Sequence, residues 1–112
     1  MGRIFPFLVF MGIGTATYAE GSFYDGNELY ELCLNQRASA NMYIVGVMDG
    51  GEFMASINDS LKLICIPDRV IARQLTDVGC NYLRDHPEKR QYTAASTILG
   101  AFADTFPCKS GK

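Results

Sequence analysis

The sequence predicts an all-α domain, a small disulfide-stabilised bundle of about four helices. Apolar residues return at intervals of three and four in four segments separated by glycine and proline. No segment of useful length shows the apolar/polar alternation of a half-buried strand. Four cysteines, at positions 33, 65, 80 and 108, make an even count, which in an exported chain reads as two disulfides.

Export is expected from the first residues, "MGRIFPFLVFMGIGTATYAEGSF". Arg3 precedes an apolar run from Ile4 to Gly14 that is too short to span a bilayer, and Thr17-Tyr18-Ala19 places small residues where a signal peptidase reads. Residues 1–19 are therefore read as a secretory signal and residues 20–112 as the mature domain, with no membrane attachment after cleavage. Pro6 and the nearby glycines suit a buried helix badly. One small domain fits the remaining length, and a chain so short gains from crosslinks because it buries too little apolar surface.

The first helix is expected in "DGNELYELCLNQ", with Leu29, Leu32 and Cys33 on one face and Asp25 or Asn27 as its cap. "SANMYIVGVMDGGEFMASI" is apolar on nearly every side, which predicts a central helix capped by Ser39 and touched by several others. Gly46, Gly50 and Gly51 either admit a second backbone closely or break that helix after Asp49. "SINDSLKL", residues 56–63, is a connection with polar residues at its middle.

"CIPDRVIARQLTDVGCNYLRDHP" predicts the third helix, with Pro67 at its first position and Asp68 at the positive end of its dipole. Ile71, Leu75, Val78 and Tyr82 form the stripe expected to face the core. His86 before Pro87 ends the helix. The fourth helix is expected in "YTAASTILGAFADTF", starting near Tyr92 or Thr93, with Ala95, Ile98, Leu99, Phe102 and Phe106 as its core stripe and Pro107 as its stop.

Four cysteines permit three pairings. If the third helix is continuous, Cys65 and Cys80 stand about 22 Å apart, beyond the reach of a disulfide. Two pairings remain: 33–80 with 65–108, and 33–65 with 80–108. In an antiparallel hairpin the start of the third helix lies beside the end of the fourth, which favours Cys65 with Cys108. Cys80 points away from the Ile71 stripe, so a bond to Cys33 requires the first helix to cover that other face. Otherwise Cys80 is a thiol or a crosslink to another chain.

Ten Lys and Arg against twelve Asp and Glu give a net charge of −2, and no basic stripe offers counterion release to a nucleic acid. No Cys-x-x-Cys occurs and His86 is the single histidine, so neither a metal site nor a cofactor is expected. Cys80 and His86 lie about 240° apart on a helix and cannot form a local thiol–imidazole pair. Asp49 and Glu52 share a three-residue spacing, but a glycosidase needs two carboxylates flanking a cleft; Asp49 is expected to meet an arginine or a backbone donor. An enzyme is not expected. Asn58-Asp59-Ser60 matches a glycosylation acceptor, which matters only in a eukaryotic secretory route.

Five blocks in order, "GNELYELC", "YIVGVMDG", "CIPDRV", "QLTDVGCNYLRDHPEKR" and "TAASTILGAFADTFPC", together resemble the Rap/Tai family of type VI secretion immunity proteins. The resemblance implies a periplasmic, all-helical protein, often a homodimer, that binds and blocks a toxin, for the best-known members a cell-wall amidase. Cys33, Cys65 and Cys108 match family cysteine positions, Tyr43, Gly46 and Asp49 match its central helix, and His86-Pro87 its helix stop. The family commonly carries a further cysteine where this chain has Ala40. Cys80 reads as a relocated partner for Cys33, which adds support to the 33–80 pairing.

The resemblance directs attention to the polar connection anchored by Cys65. Asn58, Asp59 and Lys62, with Asp68 and Arg69 beyond the cysteine, are the candidate toxin contacts, acting by occlusion. The competing reading is a periplasmic chaperone-like or apolar-ligand-binding module, for which Met42, Met48 and Met54 supply an adaptable apolar surface.

Overall fold

Four helices follow one another in the computed structural model, which describes residues 23–109. The proposed signal segment lies outside these residues. α1 is Gly26–Asn35, α2 Arg37–Ile57, α3 Ala72–Asp85 and α4 Ala94–Thr105. Short 3-10 turns at Asp59–Leu61 and Pro87–Lys89 punctuate the two longer connections. The described residues contain no strand, only isolated bridges between Asp25 and Thr93 and between Ile64 and Pro107.

α1 begins with a reciprocal cap. Asp25 Oδ1 accepts from the Glu28 amide at 2.8 Å and Glu28 Oε1 accepts from the Asp25 amide at 2.9 Å, satisfying two of the donors that every helix start leaves open. The next two backbone amides bind the chain before α4: Gly26 N–H donates to Tyr92 O and Asn27 N–H to Arg90 O, both at 2.9 Å. The starts of α1 and α4 are thereby stitched together.

α1 and α2 are separated by Gln36 alone, and Ser39 does not cap α2. The glycines do not end α2 either; it runs through Gly50 and Gly51 to Ile57. Gly51 is the close-approach position, because a Cβ there would lie 3.3 Å from Leu99 Cδ2, while a Cβ at Gly46 or Gly50 would meet nothing within 4 Å. Nor is α2 covered on every side. Ala40, Ile44, Met48 and Ala55 are buried, whereas Met42, Phe53 and Ile57 stand exposed on the opposite side.

α3 starts five residues later than Pro67 predicts. Residues 64–66 are drawn into an extended segment beside the end of α4, where Cys65 N–H donates to Phe106 O at 2.8 Å. Pro67 instead opens a turn closed by Val70 N–H on Pro67 O at 3.2 Å, a role its fixed φ suits. Asp68 and Arg69 occupy this turn rather than the first turn of a helix. Helical backbone resumes after Ile71, whose amide donates to Gln74 Oε1 at 2.9 Å.

The face that α3 buries also differs from the expected stripe. Thr76, Gly79, Cys80 and Leu83 are buried, and Leu75, Val78 and Tyr82 are only half-buried while Ile71 is exposed. The buried face is turned by about 120° at 100° per residue. Two contacts impose that rotation. Cys80 is bonded to Cys33 of α1, and Gly79 sits where a Cβ would lie 2.9 Å from Ile98 Cδ1 and 3.1 Å from Ile44 Cδ1.

α4 is likewise turned. Ala94, Thr97, Ile98, Ala101 and Phe102 are buried, while Ala95 and Leu99 are half-buried at the edge of the core. Thr97 tolerates burial because its hydroxyl reaches Thr93 O at 3.0 Å and Lys89 O at 3.3 Å, leaving no unpaired polar atom. Leu29, Ile44, Leu83, Ile98 and Phe102, contributed by all four helices, fill the centre without solvent exposure.

The second disulfide joins Cys65 to Cys108. A continuous third helix does not keep Cys65 from Cys80, since Cys65 precedes α3. Its partner is set by the antiparallel α3–α4 hairpin and by the Ile64–Pro107 bridge, which bring the two ends of that hairpin together. At the other end His86 closes α3: its amide and Nδ1 both meet Tyr82 O, at 2.9 and 3.0 Å, and its ring stacks on Tyr82 with centroids 4.1 Å apart. Arg90 adds a second cap. Nε donates to Leu83 O at 2.7 Å while the guanidinium lies 3.9 Å from the Tyr30 ring centre, a cation–π contact that ties α1 to the hairpin turn.

Candidate interaction surface

Chain segments that face solvent yet are held in place are the places to look for recognition. The connection from α2 to α3, residues 58–71, is the longest stretch without α-helix between the first and last helices. It carries all five candidate contacts, and Asn58, Asp59, Lys62, Asp68 and Arg69 are all exposed.

Asn58, Asp59 and Lys62 form one group. Asn58 Oδ1 accepts from the Ser60 amide at 3.0 Å and from Ser60 Oγ at 2.7 Å, the side-chain-to-backbone bond that shapes an Asx turn. Lys62 Nζ lies 3.0 Å from both carboxylate oxygens of Glu52, so the connection is tied back to α2 across the turn. Exposed ion pairs of this kind contribute on the order of 0–1 kcal/mol. Asp68 and Arg69 form a second group on the turn beyond Cys65.

The polar reading of the connection missed its apolar members. Leu61 and Leu63 are exposed, and together with Ile64 they wall a groove of about 580 Å³ whose floor is built by Val47, Gly50, Gly51 and Met54 of α2 and by Leu99, Gly100 and Ala103 of α4. The groove exists because α2 and α4 present small residues to each other at this end. Ala95, Leu99 and Ala103, spaced by four, follow one side of α4 into it. Lys62 and Glu52 border it. The sequence signal was present: Leu61, Leu63 and Ile64 in a connection, and glycines on both helices.

The residues weighed as catalytic occupy structural places. All four cysteines are in disulfides. His86 is the cap of α3. Asp49 is exposed on the outward side of α2, and Glu52 pairs with Lys62. Tyr43 packs edge-on against Tyr24 with centroids 5.3 Å apart, and partial burial, followed by the Tyr24 ring, pushes its phenol above the ordinary tyrosine range. Arg84, hydrogen-bonded to Asp85 at 2.9 Å, holds that carboxyl below the usual carboxylate range on an exposed surface. Among the described residues no cluster of His, Cys, Asp and Glu could hold a metal ion, and no helix is long and apolar enough to cross a membrane.

Searches of curated proteins and of solved structures return no significant match. The model of the Rap1a immunity proteins matches residues 25–108, which runs from the cap of α1 to the cysteine that closes the second disulfide. Over that span the chain belongs to the Rap1a immunity protein family.

Proposed function

We propose that this protein is a type VI secretion immunity protein, exported to the periplasm by residues 1–19, where it binds a cognate toxin and occludes its active site. The toxin we propose is a peptidoglycan amidase. Family membership over residues 25–108 carries this reading. The 58–71 connection supports it as the contact surface, since it carries the exposed Asn58, Asp59, Lys62, Asp68 and Arg69 and contributes Leu61, Lys62, Leu63 and Ile64 to an apolar groove, and interfaces combine apolar and polar surface in this way.

The experiment is co-purification of the mature chain with the product of a neighbouring toxin-like gene, followed by titration of the pair. Lys62→Glu and Arg69→Glu are each expected to weaken binding by at least tenfold while the helical circular dichroism is unchanged. Full affinity in both variants would remove the connection from the interface, and a genome neighbourhood with no toxin that binds would remove the immunity reading itself.

A homodimer is part of the proposal. Met42, Phe53 and Ile57, respectively 70%, 63% and 63% exposed, lie on one side of α2 with Gly46 and Gly50, whose missing side chains leave open space. An exposed side of one helix that is apolar apart from Asp49 suits a two-fold contact. The second reading, a module for apolar ligands, is favoured by the groove itself, whose volume is within the range of small-molecule sites. Lipid retained by the purified protein in native mass spectrometry would select it.

A further inference from the structure

The two disulfides occupy opposite environments. Cys33 and Cys80 are 7% and 4% exposed and join α1 to α3 inside the core. Cys65 is exposed and Cys108 half-buried, and they join the α2–α3 connection to the tail that follows α4. Besides this bond, few contacts hold the middle of the connection. Among the described residues, Cys65 N–H on Phe106 O, the Ile64–Pro107 bridge, partial burial of Ile64 and Ile66, and the exposed Lys62–Glu52 pair tie residues 61–67 to the helices. The bundle, by contrast, is held by its shared core and by Cys33–Cys80.

We infer that Cys65–Cys108 is a redox-operated latch on the 58–71 connection: a dithiol opens it selectively, loosening the connection while the helical core and Cys33–Cys80 stay intact. Thiol–disulfide exchange requires an attacking thiolate to reach a sulfur in line with the bond, and only the outer bond offers an exposed cysteine. A thiolate of the dithiol bonds to Cys65 Sγ and the Cys65–Cys108 bond breaks, Cys108 leaving as a thiolate that takes up a proton. The second thiol of the reductant then attacks its own sulfur in the mixed disulfide and releases Cys65. Two electrons and two protons pass from the dithiol, which ends as a cyclic disulfide.

Once open, the connection keeps at its middle the backbone contacts to residues 106–107, two half-buried isoleucines and the exposed Lys62–Glu52 pair, and closing it again means ordering a segment against its own chain entropy. Loss of order there lowers the population of a binding-ready surface, and apparent affinity falls with that population. This last consequence rests on the immunity reading above; selective opening and loosening of the connection do not.

The test uses the full mature chain with dithiothreitol as the probe. Timed reduction, alkylation of released thiols and peptide mass spectrometry should show Cys65 and Cys108 labelled at least tenfold faster than Cys33 and Cys80, with helical circular dichroism retained. Hydrogen exchange on the partly reduced protein should show amides 61–66 exchanging at least tenfold faster and those of α1 and α3 within twofold of the oxidised protein. A Cys65→Ser/Cys108→Ser variant should reproduce that exchange pattern without reductant. Equal labelling of the two pairs, global loss of helicity on opening the outer bond, or unchanged exchange at 61–66 would each overturn the latch. Toxin binding is measured separately: loss of affinity on opening extends the latch to function, and unchanged affinity overturns that extension while the exchange data stand.

Discussion

Gly26 is the position where one hydrogen atom does what no side chain could. A Cβ there would lie 2.6 Å from Arg90 Cα and 2.8 Å from Arg90 O, and both are backbone atoms that cannot rotate aside. The approach is tight because the amides of Gly26 and Asn27 bond to Tyr92 O and Arg90 O, and Arg90 in turn caps α3 and covers Tyr30. Gly26→Ala is expected to destabilise the domain by about 1–3 kcal/mol, the range for forced overpacking, lowering the thermal midpoint by several degrees. A chemical denaturation curve with an unchanged midpoint would contradict the contact. Gly79 is more forgiving. A Cβ there meets the ends of the Ile98 and Ile44 side chains, which can shift by small rotations.

The helices do not all owe their starts to the same cause. α1 starts where Asp25 and Glu28 exchange backbone and side-chain bonds, and this was readable because capping is local chemistry at fixed spacing. Asp25→Ala removes one half of that exchange and is expected to cost about 0.5–2 kcal/mol, measured as a shift of the urea midpoint with unchanged slope. α4 starts at Thr93, whose Oγ1 accepts from the Ser96 amide at 3.3 Å, and this too was local. α3 is the contrary case. Pro67, Asp68 and the apolar spacing beyond them satisfy every rule for a helix start, yet the helix begins at Ala72. A bond from Cys65 to the far end of α4 takes the preceding residues out of helical geometry, and no local pattern encodes such a partner.

At the scale of the whole molecule, about half of the exposed large apolar residues fall on α2 and the connection that follows it. Met42, Phe53 and Ile57 share a side of α2, and Leu61 and Leu63 border the groove at its C-terminal end. Contiguous apolar surface on a small domain marks a place where something binds. Phe53→Glu is expected to leave the helical spectrum intact and to convert a dimer into a monomer in sedimentation equilibrium. A wild-type chain that sediments as a monomer throughout the micromolar range would retire the two-fold contact on α2. The same view separates the two crosslinks, one sealing the core and one tying a solvent-facing connection to the end of the hairpin.

Helix number, order and most termini were legible in the residues themselves. These depend on caps, prolines and spacing, which act within a few residues. Tertiary contact decided which face of each helix is buried. The Ile71–Leu75–Val78–Tyr82 stripe was the more hydrophobic choice, yet α3 turns Thr76, Gly79, Cys80 and Leu83 inward, because a covalent bond to Cys33 and the close approach of Ile44 and Ile98 to Gly79 outweigh the extra apolar area. The groove was hidden for the same reason. It belongs to no segment, and is lined jointly by α2, α4 and the connection at Leu61 to Ile64.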